Sequence, residues 1–113
     1  MNDFDRGEDA YIVVTLQDSD SVDLDTAQFD DIIVKVTHKH LGTELARFSL
    51  QDSTVSAGSP TTDGEIMFTI LGSVTASAAI GVYEYQIKTR DDDGTPIYRK
   101  FRGDCFYLKK ALT

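Results

Sequence analysis

Period-two alternation in the second half of the chain limits the fold more than any other feature. In Glu65-Ile66-Met67-Phe68-Thr69-Ile70 every second residue is a large apolar one, the pattern of a strand with one buried face. A short Ala/Ser/Thr-rich link leads to a second such run, Gly81-Val82-Tyr83-Glu84-Tyr85-Gln86-Ile87. Two half-buried strands joined this way predict the corner of a β-sandwich. The next stretch, Arg90-Asp91-Asp92-Asp93-Gly94-Thr95-Pro96, sets turn formers between Ile87 and Ile97, so the chain folds straight back as a hairpin. This is scaffold architecture with no visible reaction centre.

The remaining strands follow from the same reading. Ala10 to Leu16 is the first, with Ala10, Ile12, Val14 and Leu16 on one face and Tyr11, Val13 and Thr15 on the other. Both faces are rather apolar. The outer pair, Tyr11 and Val13, is therefore a candidate contact with another chain, and cover by the N-terminal segment around Phe4 accounts for it equally well. Ile32 to His40 is the second strand, with Ile32, Val34 and Val36 inward. Gly42 permits a reversal into Glu44 to Leu50, where Ala46, Phe48 and Leu50 share a face.

Gln51 to Thr62 reads as a long loop or a weak extra strand. Ser73 to Ala79 is predicted as one or two helical turns with Ser73 as N-cap and Gly81 as the stop. In the last strand, Ile97 to Leu108, Gly103 marks a bulge or bend where the strand changes sheets. The spacing predicts an all-β fold, a single antiparallel β-sandwich domain over residues 1–113 with roughly six to eight short strands and one short helical turn. Tyr83, two residues after Gly81 at a strand start, resembles the tyrosine corner of immunoglobulin-like sandwiches, whose hydroxyl bonds back to upstream backbone.

A chain of 113 residues can bury a core without staples. Its one cysteine, Cys105, makes no internal disulfide. No apolar run approaches the roughly 20 residues that span a bilayer, and Met1-Asn2-Asp3-Phe4-Asp5 lacks the regions of a signal peptide, so a soluble, unexported chain is expected. The formal net charge of −8 argues against nucleic acid and anionic membrane as partners. Basic residues gather toward the C-terminus, in Arg99, Lys100, Arg102, Lys109 and Lys110, while acids dominate residues 1–31. That asymmetry suits head-to-tail or subunit contact, and a solvated basic strand face suits it as well.

Several groups of residues invite a chemical reading. Asp18, Asp20, Asp23 and Asp25 offer hard oxygen ligands for calcium, yet the run lacks the loop glycine and terminal Glu of an EF-hand. Turn residues capping backbone N–H groups, through Asp23 or Asp25, are the plainer reading. Asp91, Asp92 and Asp93 read as an exposed hairpin tip. His38 and His40 share a strand face and make half a metal site with no Cys or third His to complete it. Cys105 would need a base and an electropositive setting to act as a nucleophile, and His38 or His40 could reach it only by accident of fold. With no phosphate loop, catalytic triad spacing or zinc-protease helix, the expectation is a non-enzyme without cofactors or metal.

Taken together, Ala10-Tyr11-Ile12-Val13-Val14-Thr15-Leu16, Asp18-Ser19-Asp20-Ser21-Val22-Asp23-Leu24, Asp63 to Ile70, Ile80-Gly81-Val82-Tyr83-Glu84-Tyr85-Gln86-Ile87 and Gly103-Asp104-Cys105-Phe106-Tyr107-Leu108 resemble the small immunoglobulin-like sandwich of tailed-phage structural proteins. The N-terminal domain of phage baseplate upper proteins is one example. The resemblance covers about residues 7–109 and implies an assembly module that docks on other virion proteins, made in the host cytoplasm and carried in the virion. With no receptor-binding or fibre region, a free-standing copy is expected in the tail, baseplate, neck or head, as a homo-oligomer or ring. The expected contact residues are Tyr11, Val13, Tyr98 and Phe101, and the expected structural ones are Tyr83, Gly81 and Gly103. The competing reading is a carbohydrate- or calcium-binding module using the acidic loops 18–25 and 91–93.

Overall fold

The computed structural model describes residues 2–91 and 98–110. Its strands are β1 (Asn2–Asp5), β2 (Ala10–Thr15), β3 (Phe29–His38), β4 (Glu44–Ser49), β5 (Ser56–Ala57), β6 (Glu65–Ile70), β7 (Gly81–Asp91) and β8 (Tyr98–Lys109). One short helix, α1 (Gly72–Thr75), and two single 3-10 turns, Thr26–Gln28 and Thr61–Asp63, complete the described elements. The fold is all-β, in two sheets. The larger runs β1-β8-β7-β3-β4 and the smaller β2-β6-β5.

Alternation explains why the sheets face each other. From β2 and β6, Ala10, Ile12, Val14, Ile66, Phe68 and Ile70 turn to the same side and are buried. From the other sheet Ile32, Val34, Val36, Tyr83, Ile87 and Phe106 meet them in one continuous core. Packing of this kind contributes about 1.5–3 kcal/mol for each fully buried large side chain. The chain passes between sheets at 71–80, where β6 ends, α1 turns and β7 begins, which is the corner that the alternating runs predict. The hairpin strands β7 and β8 pair antiparallel from Gly81↔Leu108 to Arg90↔Tyr98. Asp92 and Asp93 of the expected hairpin tip, with Gly94, Thr95, Pro96 and Ile97, lie outside the described residues.

Several local expectations are corrected. Asn2–Asp5 is a strand, pairing parallel with β8 from Asn2↔Phe106 to Asp5↔Lys109. Phe4 therefore packs edge-on against Phe106, with centroids 5.7 Å apart, and is spent on the core. β3 begins at Phe29 and ends at His38, so His40 lies in the following turn. Of the two readings of 51–62, a long loop or a weak extra strand, the second holds, in the two-residue β5.

α1 starts from Leu71 rather than Ser73, and Leu71 supplies no side-chain cap. The Gly72 N–H donates instead to the carboxylate of Asp9, the residue just before β2. Gly81 is no helix stop: it opens β7 with φ of 132°, a conformation suited to glycine. Nor does β8 change sheets at Gly103. The register shift falls between Tyr83/Glu84, whose partners are Phe106 and Asp104, so Cys105 is the extra residue of the bulge. Gly103 has a different task, since a Cβ there would lie 2.6 Å from the Tyr85 hydroxyl.

Candidate functional site

Among the described residues β2 is an edge strand, bonded in its sheet to β6 alone. Its outer residues Tyr11 and Val13 sit opposite Thr69 and Met67 and are 58% and 46% exposed. The alternative that the N-terminal segment covers them does not hold, because Phe4 is engaged with Phe106 on the other sheet. A six-residue strand rich in β-branched and aromatic residues, carrying apolar side chains outward along a free edge, is a surface suited to contact.

The same surface continues around β6. Leu16 N–H donates to the Gly64 carbonyl at 2.8 Å, and Gly58 N–H donates to the Glu65 carbonyl at 2.8 Å. Alternate residues of β6 thus turn their backbone groups toward β2 and toward β5. β5 pairs only with Met67 and Ile66, so the backbone of Thr69 faces outward with no strand beside it among the described residues. A groove of about 430 Å³ lies there. Tyr11, Ala46, Phe48, Phe68, Leu71 and Val74 are among the residues that line it. Two of these, Phe48 and Phe68, have ring centroids 5.2 Å apart, and Phe68 belongs to the core against which Phe48 packs.

The other expected contact residues are placed differently. Phe101 pairs with Ile87 and packs half-buried against the core. Tyr98 pairs with Arg90 through its backbone. Of the expected structural residues, Tyr83 and Gly81 meet around His38 at one corner, while Gly103 lies beside Tyr85. Tyr83 stacks on Phe106 at 5.1 Å, meets His38 edge-on at 5.1 Å, and donates its hydroxyl to the Ala79 carbonyl at 2.7 Å. His38 Nδ1 lies 3.2 Å from the His40 N–H and 3.1 Å from the Leu41 N–H, so it accepts both and Nε2 donates to the Ile80 carbonyl. Both ring nitrogens of His38 are thereby engaged by backbone.

The acidic loop is organised by its own carboxylates. Asp18 Oδ1 accepts from the N–H groups of Asp20 and Val22 at 2.8 and 3.0 Å, Asp23 Oδ1 accepts from Gln17 Nε2 at 2.9 Å, and Asp25 caps the 3-10 turn through the Ala27 N–H. Among the described residues no three His, Cys, Asp or Glu side chains gather as a metal site. Cys105 is buried, and burial pushes its thiol up to about 12. No described helix is long and apolar enough to cross a membrane. No family model, curated protein or solved structure matches this chain.

Proposed function

We propose that the chain is a non-enzymatic structural or docking subunit of a tailed-phage particle, built as an immunoglobulin-like sandwich. The observation that carries the reading is the outward apolar pair Tyr11 and Val13 on the free edge of β2, continuous with the groove beside Thr69. Such an edge offers a partner backbone hydrogen bonds along β2 and apolar contact across Tyr11, the usual means of strand-mediated docking. The immunoglobulin-like part is supported by the first strand running parallel to the last while the second joins the opposite sheet, and by the Tyr83 hydroxyl bonded to upstream backbone. The phage part rests on the sequence resemblance.

The test is recovery of the chain in gradient-purified particles, with its copy number measured against the major capsid protein. A fixed, saturable copy number is the expected result. Recovery only in the soluble fraction of infected cells counts against the reading.

A further inference from the structure

We infer that the outer face of the larger sheet docks the acidic loop end of a second copy, giving a head-to-tail contact. The inference rests on the reading of the chain as an assembly subunit and names the partner of a second surface, separate from Tyr11 and Val13.

The registers of four strands converge on one face. Arg47 pairs with Lys35, Lys35 with Gln86 and Gln86 with Arg102, while Ile33 pairs with Lys88 and Lys88 with Lys100. Because side chains alternate along each strand, these residues all project away from the core that Val34, Val36 and Ile87 occupy. Five of the chain's eleven Lys and Arg therefore share a single face around the partly exposed Ile33. Arg47 bonds Glu44 at 2.8 Å and Arg102 bonds Glu84 at 2.7 Å. Lys35 and Lys100 form no ion pair with any described residue. The face is thus positive on a molecule whose net charge is −8.

The complementary charge is on the same chain. Residues 7–34 contain eight Asp and Glu and no Lys or Arg. Asp18, Asp20, Asp23 and Asp25 are exposed in the loop that joins the two sheets, and the 3-10 turn carrying Asp63 packs beside the turn that follows this loop. The loop 18–25 and Asp63 share no residue with the basic face, so one copy can offer its loop to a neighbour while its own face remains open. Contacts of that heterologous kind close into rings or continue as filaments. Fields of opposite sign steer such an encounter and fix its orientation, and salt weakens it. A phosphate polymer fits the basic face less well, because the remaining surface repels it.

The experiment is light scattering of the whole chain at low and at about 0.5 M salt, where screening is nearly complete beyond a few ångströms. Two double variants are compared: Lys35→Glu with Lys100→Glu, and Asp20→Lys with Asp63→Lys. Circular dichroism melts establish that each remains folded, and Lys35→Gln with Lys100→Gln repeats the test with milder changes. The wild type is expected to exceed the monomer mass of 12.5 kDa at low salt and to return to it at high salt. Each variant alone is expected to stay monomeric at low salt, while their equimolar mixture associates again, since the intact loop of the first meets the intact face of the second. A wild type that is monomeric at low salt overturns the inference, as does association unaffected by the variants. Retention of an oligonucleotide by a wild type that does not self-associate would assign the face to nucleic acid and also overturn it. These results are independent of recovery in particles, so the failure of either reading is recognised separately.

Discussion

The imidazole Nε2 of His38 lies 2.9 Å from the carbonyl oxygen of Ile80, 42 residues along the chain, and so fastens the end of β3 to the entrance of β7. Gly81 makes the approach possible. Its φ of 132° is one that L side chains rarely adopt, and a Cβ there would stand 2.6 Å from the same nitrogen. Gly81→Ala is expected to lower stability by about 2 kcal/mol, and His38→Ala by about 1–3 kcal/mol through the backbone groups it leaves unpaired. Urea unfolding with an unchanged m-value checks both. A Gly81→Ala variant within about 0.5 kcal/mol of the wild type would show that the corner relaxes freely.

Cys105 is expected to be inert in the folded protein. With its thiol pushed up to about 12 by burial, only about one molecule in ten thousand carries a thiolate at pH 8. Labelling by iodoacetamide at that pH should follow global unfolding, and rapid native labelling would contradict the burial. The same shift has a sign for stability. The unfolded chain gives up this proton near its ordinary value of 9.0 while the folded chain holds it, so stability falls as pH rises from about 9 toward 12. Tyr83 and Tyr85, raised by burial, act in the same direction above their ordinary 10.0. Cys105→Ala should flatten the first part of that decline.

On the acid side, the Arg90 guanidinium bonded to Asp30 at 2.8 Å holds the Asp30 carboxyl below its ordinary 3.8. A depressed folded value stabilises above the unfolded one and is lost as pH falls through the folded value. Asp30→Asn should therefore reduce stability at neutral pH and remove part of the acid-limb slope. A variant with the wild-type slope below pH 4 would contradict this assignment.

The acidic loop supplies a direct test against the calcium-binding alternative. Its best-placed carboxylate, Asp18, already accepts two backbone N–H groups. Calcium or a chelator is expected to leave the melting temperature unchanged. A ligand at about 100 times its dissociation constant adds about 2.7 kcal/mol, and each kcal/mol moves the melting temperature of a domain this size by roughly 4 °C or more. A calcium-dependent rise of that order would revive the alternative.

Strands with one buried face were the legible part of the fold. Along β2, β6 and much of β7 the apolar residues recur at the spacing that the core imposes, so their faces can be read directly. β1 carries no such mark: Asn2–Asp5 is polar and becomes a strand because the edge of β8 is open beside it, with Phe4 as its anchor. The start of α1 depends on Asp9, 63 residues away, a partner that no local cap pattern contains. At β8 the visible glycine, Gly103, drew the bulge two residues from its actual place, because an offset at Cys105 is decided jointly by both strands.

The candidate surfaces were legible in proportion to how local they are. Tyr11 and Val13 stand out as apolar residues on the wrong face of one strand. The basic face is assembled from β3, β4, β7 and β8, and the sequence cluster at the C-terminus is divided by the fold. Arg99 turns inward toward Asp91, and Lys109 lies 4.0 Å from Asp3 at the β1 edge. Lys100 and Arg102 alone of that cluster join the face.

If Tyr11 is the centre of a docked surface, its loss should be felt in binding and not in folding. Tyr11→Ser with Val13→Ser is expected to leave the melting temperature within a few degrees of wild type while weakening incorporation into particles about thirtyfold or more, the scale of an aromatic hot spot worth about 2 kcal/mol. Equal incorporation of variant and wild type in competition would remove these residues from the interface.

Amide hydrogen exchange of the chain, free and bound in purified particles, tests the central claim most directly. The account predicts that exchange slows on binding along Ala10–Thr15 and across Thr69 to Leu71. Binding without protection of these amides, or no particle-bound chain to measure, would contradict it.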